Sequence, residues 1–354
     1  MSERVVKHVT VAKSGPGNPR NDTANILEFE DRRLMVVWHK YEGGIDGGHD
    51  LDICRIYAKT SFDGGMNWQD ERMLIDVDAG DMNVQAPALA LLPSGELLLI
   101  CLRAHRDDST TMCLFRSRDD GNSFLESGRI WERSKGQWLQ GGANGIVILS
   151  SGRLVVPCHG GEGGQFSQHN LAWCFLSDDD GHTWRRSQAA VDLPMRGAME
   201  ACVAELEVGT LCMSLRTQLG SVFLSYSDDG GETWSLAQTS GLKAPESGTC
   251  LRRIPGKNNL LLVWNDGIYD PRHHHYGKRT PLSLAVSQDE GKSWKRIGDI
   301  ETGEYEFTTP GCTLLKDGNA IVTYMKVENP EYDGFRRAGI DLCAAIVSDP
   351  EFHA

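Results

Sequence analysis

The residues best suited to chemistry lie at fixed distances from a recurring turn. Seven or eight residues after each turn, all but one of the repeats end in a cationic or imidazole residue: His39 with Lys40, Arg103, His159, Arg216 and Lys326. Nine residues before the turns lie Thr23, Ala86, Ala143, Glu200, Ser247 and Thr309. Glu200 is the only charged residue in that second set. Several cations placed around one carboxylate suggest a pocket for an anionic ligand.

These residues are carried by six similar hairpins. Five segments repeat an apolar strand, a glycine turn and a second apolar strand, as in "EACVAELEVGTLCMSLR". A sixth copy, "TANILEFEDRRLMVVWHK", has Arg32 at the turn position. The start of the first strand and the end of the second lie at the same end of an antiparallel hairpin, so both sets of residues should face one site.

A second repeat, S-x-D-x-G-x-x-W or a close variant, follows each of the first five hairpins. It occupies residues 61–68, 117–124, 177–184, 227–234 and 287–294. In a tight turn the Asp can accept backbone N–H groups, the Gly can adopt a positive φ, and the aromatic residue can pack between neighbouring sheets. We therefore interpret these Asp boxes as structural turns at the end of the molecule opposite to the pocket.

Six hairpins and five boxes predict six repeated units. The sequence shows no helical periodicity that would favour another fold. Each unit should form four antiparallel strands with the Asp box between the third and fourth. Such sheets arranged radially make an all-β, six-bladed β-propeller. We predict a single domain over residues 1–354, closed by pairing of the N-terminal segment with the last blade.

Composition argues against several partners. The 354 residues carry a formal net charge of −13. Nucleic acid is not an expected partner, because binding its phosphates needs a basic face. No apolar run reaches bilayer length and the first residues lack the apolar core of a signal peptide, so we expect a cytoplasmic protein with no membrane partner. The ten cysteines lie mostly in apolar segments and are expected to be reduced core residues.

The boxes, "EACVAEL…GTLCMSLR" and "GKRTPLSLAVSQDEGKSW" together resemble the sialidase (neuraminidase) superfamily of Asp-box propellers, over nearly the whole chain. The resemblance implies an exo-glycosidase that releases terminal sialic acid or a related acidic sugar. It implies that Arg216 and Arg279 bind the substrate carboxylate, that Glu200 partners a Tyr nucleophile, and that Asp50 is the general acid. A sialoside carries a carboxylate on its anomeric carbon, so Arg forks and a phenol suit it better than an anionic nucleophile.

Two positions depart from the family pattern. Asp22 stands where the family usually has its first carboxylate-binding Arg, so either Arg20 reaches the pocket from the preceding loop or the arginine set is incomplete. Thr309 stands where the family has its Tyr, which makes Tyr305 the candidate nucleophile. If Tyr305 does not serve, water could attack directly with Glu200 as its base.

Other readings stay open. His159 or His105 could act as the base of a uronate-glycan lyase that works by β-elimination, and the missing Tyr also allows a carbohydrate-binding propeller without catalysis. We take Lys40, Arg103 and His159 as further substrate-binding residues. The run "PRHHHYGKR" does not suggest a metal site, because consecutive side chains do not converge on one ion. No metal or other cofactor is expected.

Overall fold

A computed structural model describes residues 4–43, 48–132, 136–141, 145–162, 169–257, 259–273, 275–327 and 339–352. Its strands form six antiparallel sheets, which are the blades of a six-bladed β-propeller. The predicted all-β fold and blade number are therefore confirmed. Within the described residues, no helix has the length and apolarity needed to cross a membrane.

Strands follow one another in sequence within each blade. Blade 1 contains β2 (Asn21–Glu28), β3 (Leu34–Tyr41), β4 (Cys54–Ser61) and β5 (Gln69–Ile75). Blade 2 contains β6 (Asp81–Leu91), β7 (Leu97–His105), β8 (Ser109–Ser117) and β9 (Leu125–Trp131). Blade 3 contains β10 (Gln137–Gly141), β12 (Leu154–Glu162), β13 (Leu171–Ser177) and β14 (Arg185–Arg186), and the short β11 (Val147–Ile148) also pairs with β12.

The remaining blades follow the same order. Blade 4 contains β15 (Met199–Glu205), β16 (Leu211–Arg216), β17 (Ser221–Ser227) and β18 (Gln238–Lys243). Blade 5 contains β19 (Cys250–Arg253), β20 (Leu260–Asn265), β21 (Leu282–Ser287) and β22 (Lys295–Glu301). Blade 6 contains β23 (Glu306–Leu314), β24 (Ala320–Val327), β25 (Ile340–Ser348) and, from the other end of the chain, β1 (Val5–Ala12); a 3-10 turn spans Pro350–Phe352.

The N-terminal strand closes the ring. β1 pairs antiparallel with β25, from Val5 opposite Ser348 to Ala12 opposite Leu342. This confirms the predicted closure and covers the backbone edge that β25 would otherwise expose. The hydrophobic core lies between the blades, and all ten cysteines are buried in it without a disulfide.

The Asp boxes form turns between the third and fourth strands, as predicted. In the first box, the Ser61 hydroxyl donates to Asp63 Oδ1 and accepts from the Gly65 N–H, both at 2.9 Å, and the Asn67 N–H donates to Asp63 at 2.9 Å. Equivalent bonds recur in the other four boxes. The N–H groups of the turn lower the pKa of Asp179 to about 2. Each box Asp is thus engaged by its own turn.

An irregularity recurs within the first strand of blades 1, 2, 4 and 6. One residue there has a positive φ, which is unusual for a side chain other than Gly: Thr23 (31°), Ala86 (52°), Glu200 (42°) and Thr309 (52°). The pairing register shifts at each of these places, as in a β-bulge. We call these four the bulge residues. The equivalent Ala143 of blade 3 lies outside the described residues.

Candidate active site

A cavity of about 190 Å³ opens at the end of the propeller opposite to the Asp boxes. All four bulge residues line it. Arg216, which also lines it, ends β16, whereas the box residue Ser227 pairs with Leu211 at the other end of that strand. The pocket is therefore on the face that strand counting predicted.

Side-chain alternation decides which strand-end residues reach the cavity. Four of the residues that lie seven positions after a turn line the cavity: His39, His159, Arg216 and Met325. Three of these four, His39, Arg216 and Met325, pair with the residue just before a bulge residue. Lys40 and Arg103 come one position later, so they point to the other side of their sheets and are not lining residues. Lys40 Nζ binds Glu71 at 2.6 Å, and Arg103 binds Asp81 at 2.8 Å.

One side of the cavity, which we call the arginine wall, consists of Arg196, Glu200, Arg216, Glu246 and Arg279. Glu246 is buried behind the lining, and its Oε1 accepts from Arg196 Nη1 and Arg216 Nη2, both at 2.8 Å. Its backbone carbonyl accepts from Arg279 Nε at 3.2 Å and Nη2 at 3.0 Å. One glutamate therefore contacts three guanidinium groups at the edge of the cavity.

Glu200 projects from this wall into the cavity. Its Oε1 accepts from Arg216 Nη1 at 2.6 Å, and its Oε2 lies so close to Gly248 that a Cβ there would come within 2.3 Å. Burial would raise the pKa of Glu200, but the charge of Arg216, with a smaller contribution from Arg279, lowers it below its usual value. Glu200 is thus held as a carboxylate, the form that a base requires.

His159 supports Glu200 through the backbone. The Glu200 N–H donates to His159 Nδ1 at 3.1 Å. Burial lowers the pKa of His159 to about 4, so its ring is neutral at pH 7. Because Nδ1 accepts a hydrogen bond, the proton of the neutral ring belongs on Nε2, and His159 can donate to a ligand rather than act as a base. His105 contacts Asp81 and Thr111 and does not line the cavity.

The opposite side, which we call the aspartate wall, consists of Arg20, Asp22, His39, Tyr41 and Asp50. Arg20 is buried: it donates to Asp50 Oδ1 at 2.6 Å, pairs with Asp22, and lies 4.6 Å above the Tyr41 ring. Like His159, His39 accepts a backbone N–H from the next blade, here from Ala86 at 3.3 Å. Arg20 therefore reaches the cavity but already holds two carboxylates.

The family model described as a BNR repeat-like domain matches residues 32–324. The chain belongs to this BNR-repeat family and is a divergent member of the sialidase superfamily.

Its similarity to individual sialidases is modest. Sialidase B of Streptococcus pneumoniae is 27% identical over 231 residues, which cover 61% of this chain and 29% of that protein. The anhydrosialidase of Macrobdella decora is 26% identical over 208 residues, which cover 54% of this chain and 25% of that protein. The chain thus spans less than a third of the length of either relative. The structure of a Hadza microbial sialidase matches with a TM-score of 0.72 at 19% identity, over 92% of this chain and 65% of that one, which shows a shared fold.

The positions that carry the sialidase resemblance divide into two groups. Arg216, Arg279, Glu200 and Asp50 all line one cavity, whereas Tyr305 does not. Tyr305 lies in the loop before β23 with its residue surface 38% exposed, and Lys326 Nζ lies 4.3 Å above its ring. The roles assigned to these residues remain predictions.

Three cavity-wall residues were missed by sequence reasoning. Tyr41 lines the cavity two positions after His39, on the same side of β3, so strand alternation could have found it. Burial raises the pKa of its phenol well above the usual value, against the opposing charge of Arg20. Arg196 and Glu246 precede β15 and β19 in loops, where strand periodicity gives no signal.

Proposed function

We propose that this protein is a glycoside hydrolase of the sialidase type, which releases terminal sialic acid or a related acidic sugar from glycoconjugates. One observation carries the proposal: in a chain of net charge −13, three arginines share one glutamate beside a carboxylate that projects into a cavity. Guanidinium groups bind carboxylates by charge-assisted hydrogen bonds, so this wall suits an acidic sugar.

In the proposed reaction, the sugar carboxylate binds the arginine wall and the glycosidic oxygen faces the aspartate wall. Asp50 must carry a proton on the carboxyl oxygen that does not bind Arg20, and it donates this proton to the glycosidic oxygen as the glycosidic bond breaks. Glu200 deprotonates an attacking water, because its pKa is lowered and it remains ionised. Water is favoured over a phenol here because, of the described tyrosines, only Tyr41 lines the cavity, and its pKa is raised.

A panel of acidic glycosides tests the reaction class. Purified protein is incubated with 4-methylumbelliferyl α-sialoside, β-glucuronide and α-iduronide and with uronate-containing oligosaccharides, and the products are followed by proton NMR. Release of a saturated acidic sugar supports the proposal. An unsaturated product that absorbs in the near ultraviolet would replace it with β-elimination, and binding without turnover would replace it with a carbohydrate-binding function.

The same NMR experiment tests the nucleophile. Attack by water predicts inversion at the anomeric carbon in the first-formed product and unchanged turnover in Tyr305→Phe. Attack by Tyr305 predicts a retained configuration and loss of turnover in Tyr305→Phe, because a covalent intermediate gives two successive inversions. The two results cannot both hold, so either outcome assigns the nucleophile.

A further inference from the structure

We propose that Cys202 and Cys250, which lie outside the cavity, form a redox-active thiol pair that hydrogen peroxide oxidises to a disulfide. The two residues belong to β15 and β19, the first strands of blades 4 and 5. β19 contacts the first strands of both neighbouring blades, β15 and β23, so these strands surround the axis of the propeller. The pair is therefore part of the central layer of the molecule.

Arg252 links the pair to this axis. Its Nη1 donates to Cys202 Sγ at 3.1 Å, and its Nε donates to the carbonyl of Cys312 in blade 6 at 2.8 Å. A Cβ at Gly145 in blade 3 would come within 3.5 Å of its Nη2. Arg252 thus lies across the axis, closer to the Asp boxes than Glu200. It is only partly buried, so small molecules of the size of peroxide can reach this layer.

Hydrogen-bond donors surround the sulfur atom of Cys202. Besides Arg252, the Leu251 N–H donates to it at 3.3 Å, and the Cys250 thiol hydrogen-bonds to it. The Leu251 carbonyl lies 3.4 Å away and is the weaker contact. Burial would raise the pKa of Cys202, but the bond from Cys250, followed by the charge of Arg252, lowers it below its usual value. The same hydrogen bond and burial raise the pKa of Cys250. The pair thus combines a nucleophilic thiolate with a thiol.

One molecule of peroxide oxidises one pair. The Cys202 thiolate attacks a peroxide oxygen, the O–O bond breaks and hydroxide leaves, which gives a sulfenic acid on Cys202. The Cys250 thiol then attacks this sulfur, so that the S–S bond forms, the S–O bond breaks and water leaves with the thiol proton. The hydroxide takes a proton from solvent. The two cysteines therefore lose two electrons, and peroxide becomes two molecules of water.

The disulfide should also displace Glu200. Glu200 lies two residues before Cys202, and Gly248, which it contacts, lies two residues before Cys250. A covalent bond brings two sulfur atoms closer than a hydrogen bond does, so β15 must move towards β19. Glu200 Oε2 already lies where a Cβ at Gly248 would come within 2.3 Å, so the carboxylate must shift. This consequence for turnover rests on the proposed function, whereas the oxidation does not.

Peptide mass spectrometry tests the pair. Purified wild type is treated with a molar excess of hydrogen peroxide at pH 7, unfolded with N-ethylmaleimide and digested with trypsin. The expected product is a disulfide between peptides 197–216 and 244–252, with fragment ions that distinguish Cys202 from Cys212. Cys250→Ser should instead accumulate the sulfenic acid on Cys202, which dimedone traps.

Cys101 and Cys113 provide a control within the same molecule. They face each other across β7 and β8 and are equally buried, but burial raises the pKa of both thiols. They should remain reduced and react with N-ethylmaleimide after unfolding. Arg252→Gln removes the cation and should slow the oxidation of Cys202 by about tenfold or more.

Two results would overturn the proposal. One is a wild type in which Cys202 and Cys250 stay reduced, and the other is equal oxidation of Cys101 and Cys113. If the disulfide forms, turnover of 4-methylumbelliferyl α-sialoside should fall by about tenfold or more, whereas peroxide should not change the turnover of Cys202→Ser. A disulfide with unchanged turnover would refute the displacement of Glu200. A reduced wild type that turns over no acidic glycoside contradicts the proposed function instead, and the peptide masses still decide whether the pair is redox-active.

Discussion

The arginine wall and the aspartate wall share the same construction. In each, one arginine lies between two carboxylates, of which one is buried and the other projects into the cavity: Arg20 between Asp22 and Asp50, and Arg216 between Glu246 and Glu200. His39 of blade 1 and His159 of blade 3 also have the same role, because each accepts the N–H of a bulge residue in the next blade. The repeated blade thus supplies a repeated framework on both sides of the cavity.

The difference between the walls lies in the residues contributed by loops. Arg196 and Arg279 join Arg216, so the arginine wall has three guanidinium groups against the carboxylates of Glu200 and Glu246. The aspartate wall has only Arg20 against two carboxylates. The cavity is therefore polarised, and an acidic sugar would bind it in one orientation. The two loop residues Arg196 and Arg279 therefore give the arginine wall a net positive charge, whereas the aspartate wall is net negative.

The largest effect is expected for Glu200→Gln. It keeps the side-chain volume and removes the proposed base, so kcat should fall by about 10³-fold. Turnover of 4-methylumbelliferyl α-sialoside provides the measurement. The matched control is Glu205→Gln at the box end of the same strand, where the carboxylate binds Ser150, and its kcat should stay at the wild-type level. A fully active Glu200→Gln would show that the arginine wall does not supply the base.

Gly248→Ala should act through the same carboxylate without removing it. The new Cβ would come within 2.3 Å of Glu200 Oε2, so the carboxylate must shift, and kcat should fall by about 10²-fold. Gly128→Ala is the control, because a Cβ at Gly128 meets no atom within 4 Å. Both variants should keep the wild-type melting temperature to within a few degrees. Unchanged turnover in Gly248→Ala would mean that Glu200 need not occupy its observed position.

The pH dependence of stability should report His159. Burial lowers its pKa to about 4 in the folded protein, whereas an unfolded His titrates near its ordinary value. As the pH falls from about 6.5 to 4, the unfolded chain binds the proton first, so the free energy of unfolding should drop by about 3 kcal/mol. Urea denaturation of His159→Gln should show a shallower decrease over this window. The exposed His182→Gln should match the wild type, and identical slopes in all three proteins would contradict the assignment.

The smallest effect is expected on the aspartate wall, for Arg20→Lys. An ammonium keeps the charge but lacks the planar fork whose Nη1 and Nη2 bind Asp50 and Asp22 respectively, so Asp50 loses orientation and kcat should fall about tenfold. The KM for the sialoside should change little, because Arg20 is not assigned to the substrate carboxylate. A rise in KM with unchanged kcat would instead place the acidic group of the substrate on the aspartate wall.

Strand periodicity explains which parts of the site could be predicted. Turn and box repeats fix the number of blades, and counting along paired strands located Glu200, Arg216 and the bulge residues correctly on the pocket face. The same counting allowed an offset of seven or eight residues, and a shift of one residue turns a side chain to the other side of the sheet. Lys40 and Arg103 were included for that reason.

Loops limited the prediction in a different way. Arg196, Glu246 and Tyr305 all precede the first strand of a blade, and their positions depend on contacts with other blades that no local pattern encodes. Arg196 and Glu246 are drawn to the cavity by one another and by Gln218. Tyr305 instead packs beside Phe307 and Lys326.

The bulge residues also bear on how this scaffold could acquire new specificities. The same positive-φ backbone presents Thr23, Ala86, Glu200 or Thr309 to the cavity, so the side chain at these places can vary while the strands stay paired. A library randomised at Thr23 and Thr309 would sample different pocket shapes, whereas Ala86 is also part of the hydrophobic core. Replacing Thr23 or Thr309 by glycine would remove the cost of a positive φ, about 1 kcal/mol. This gain in the free energy of unfolding could compensate for a destabilising substitution elsewhere.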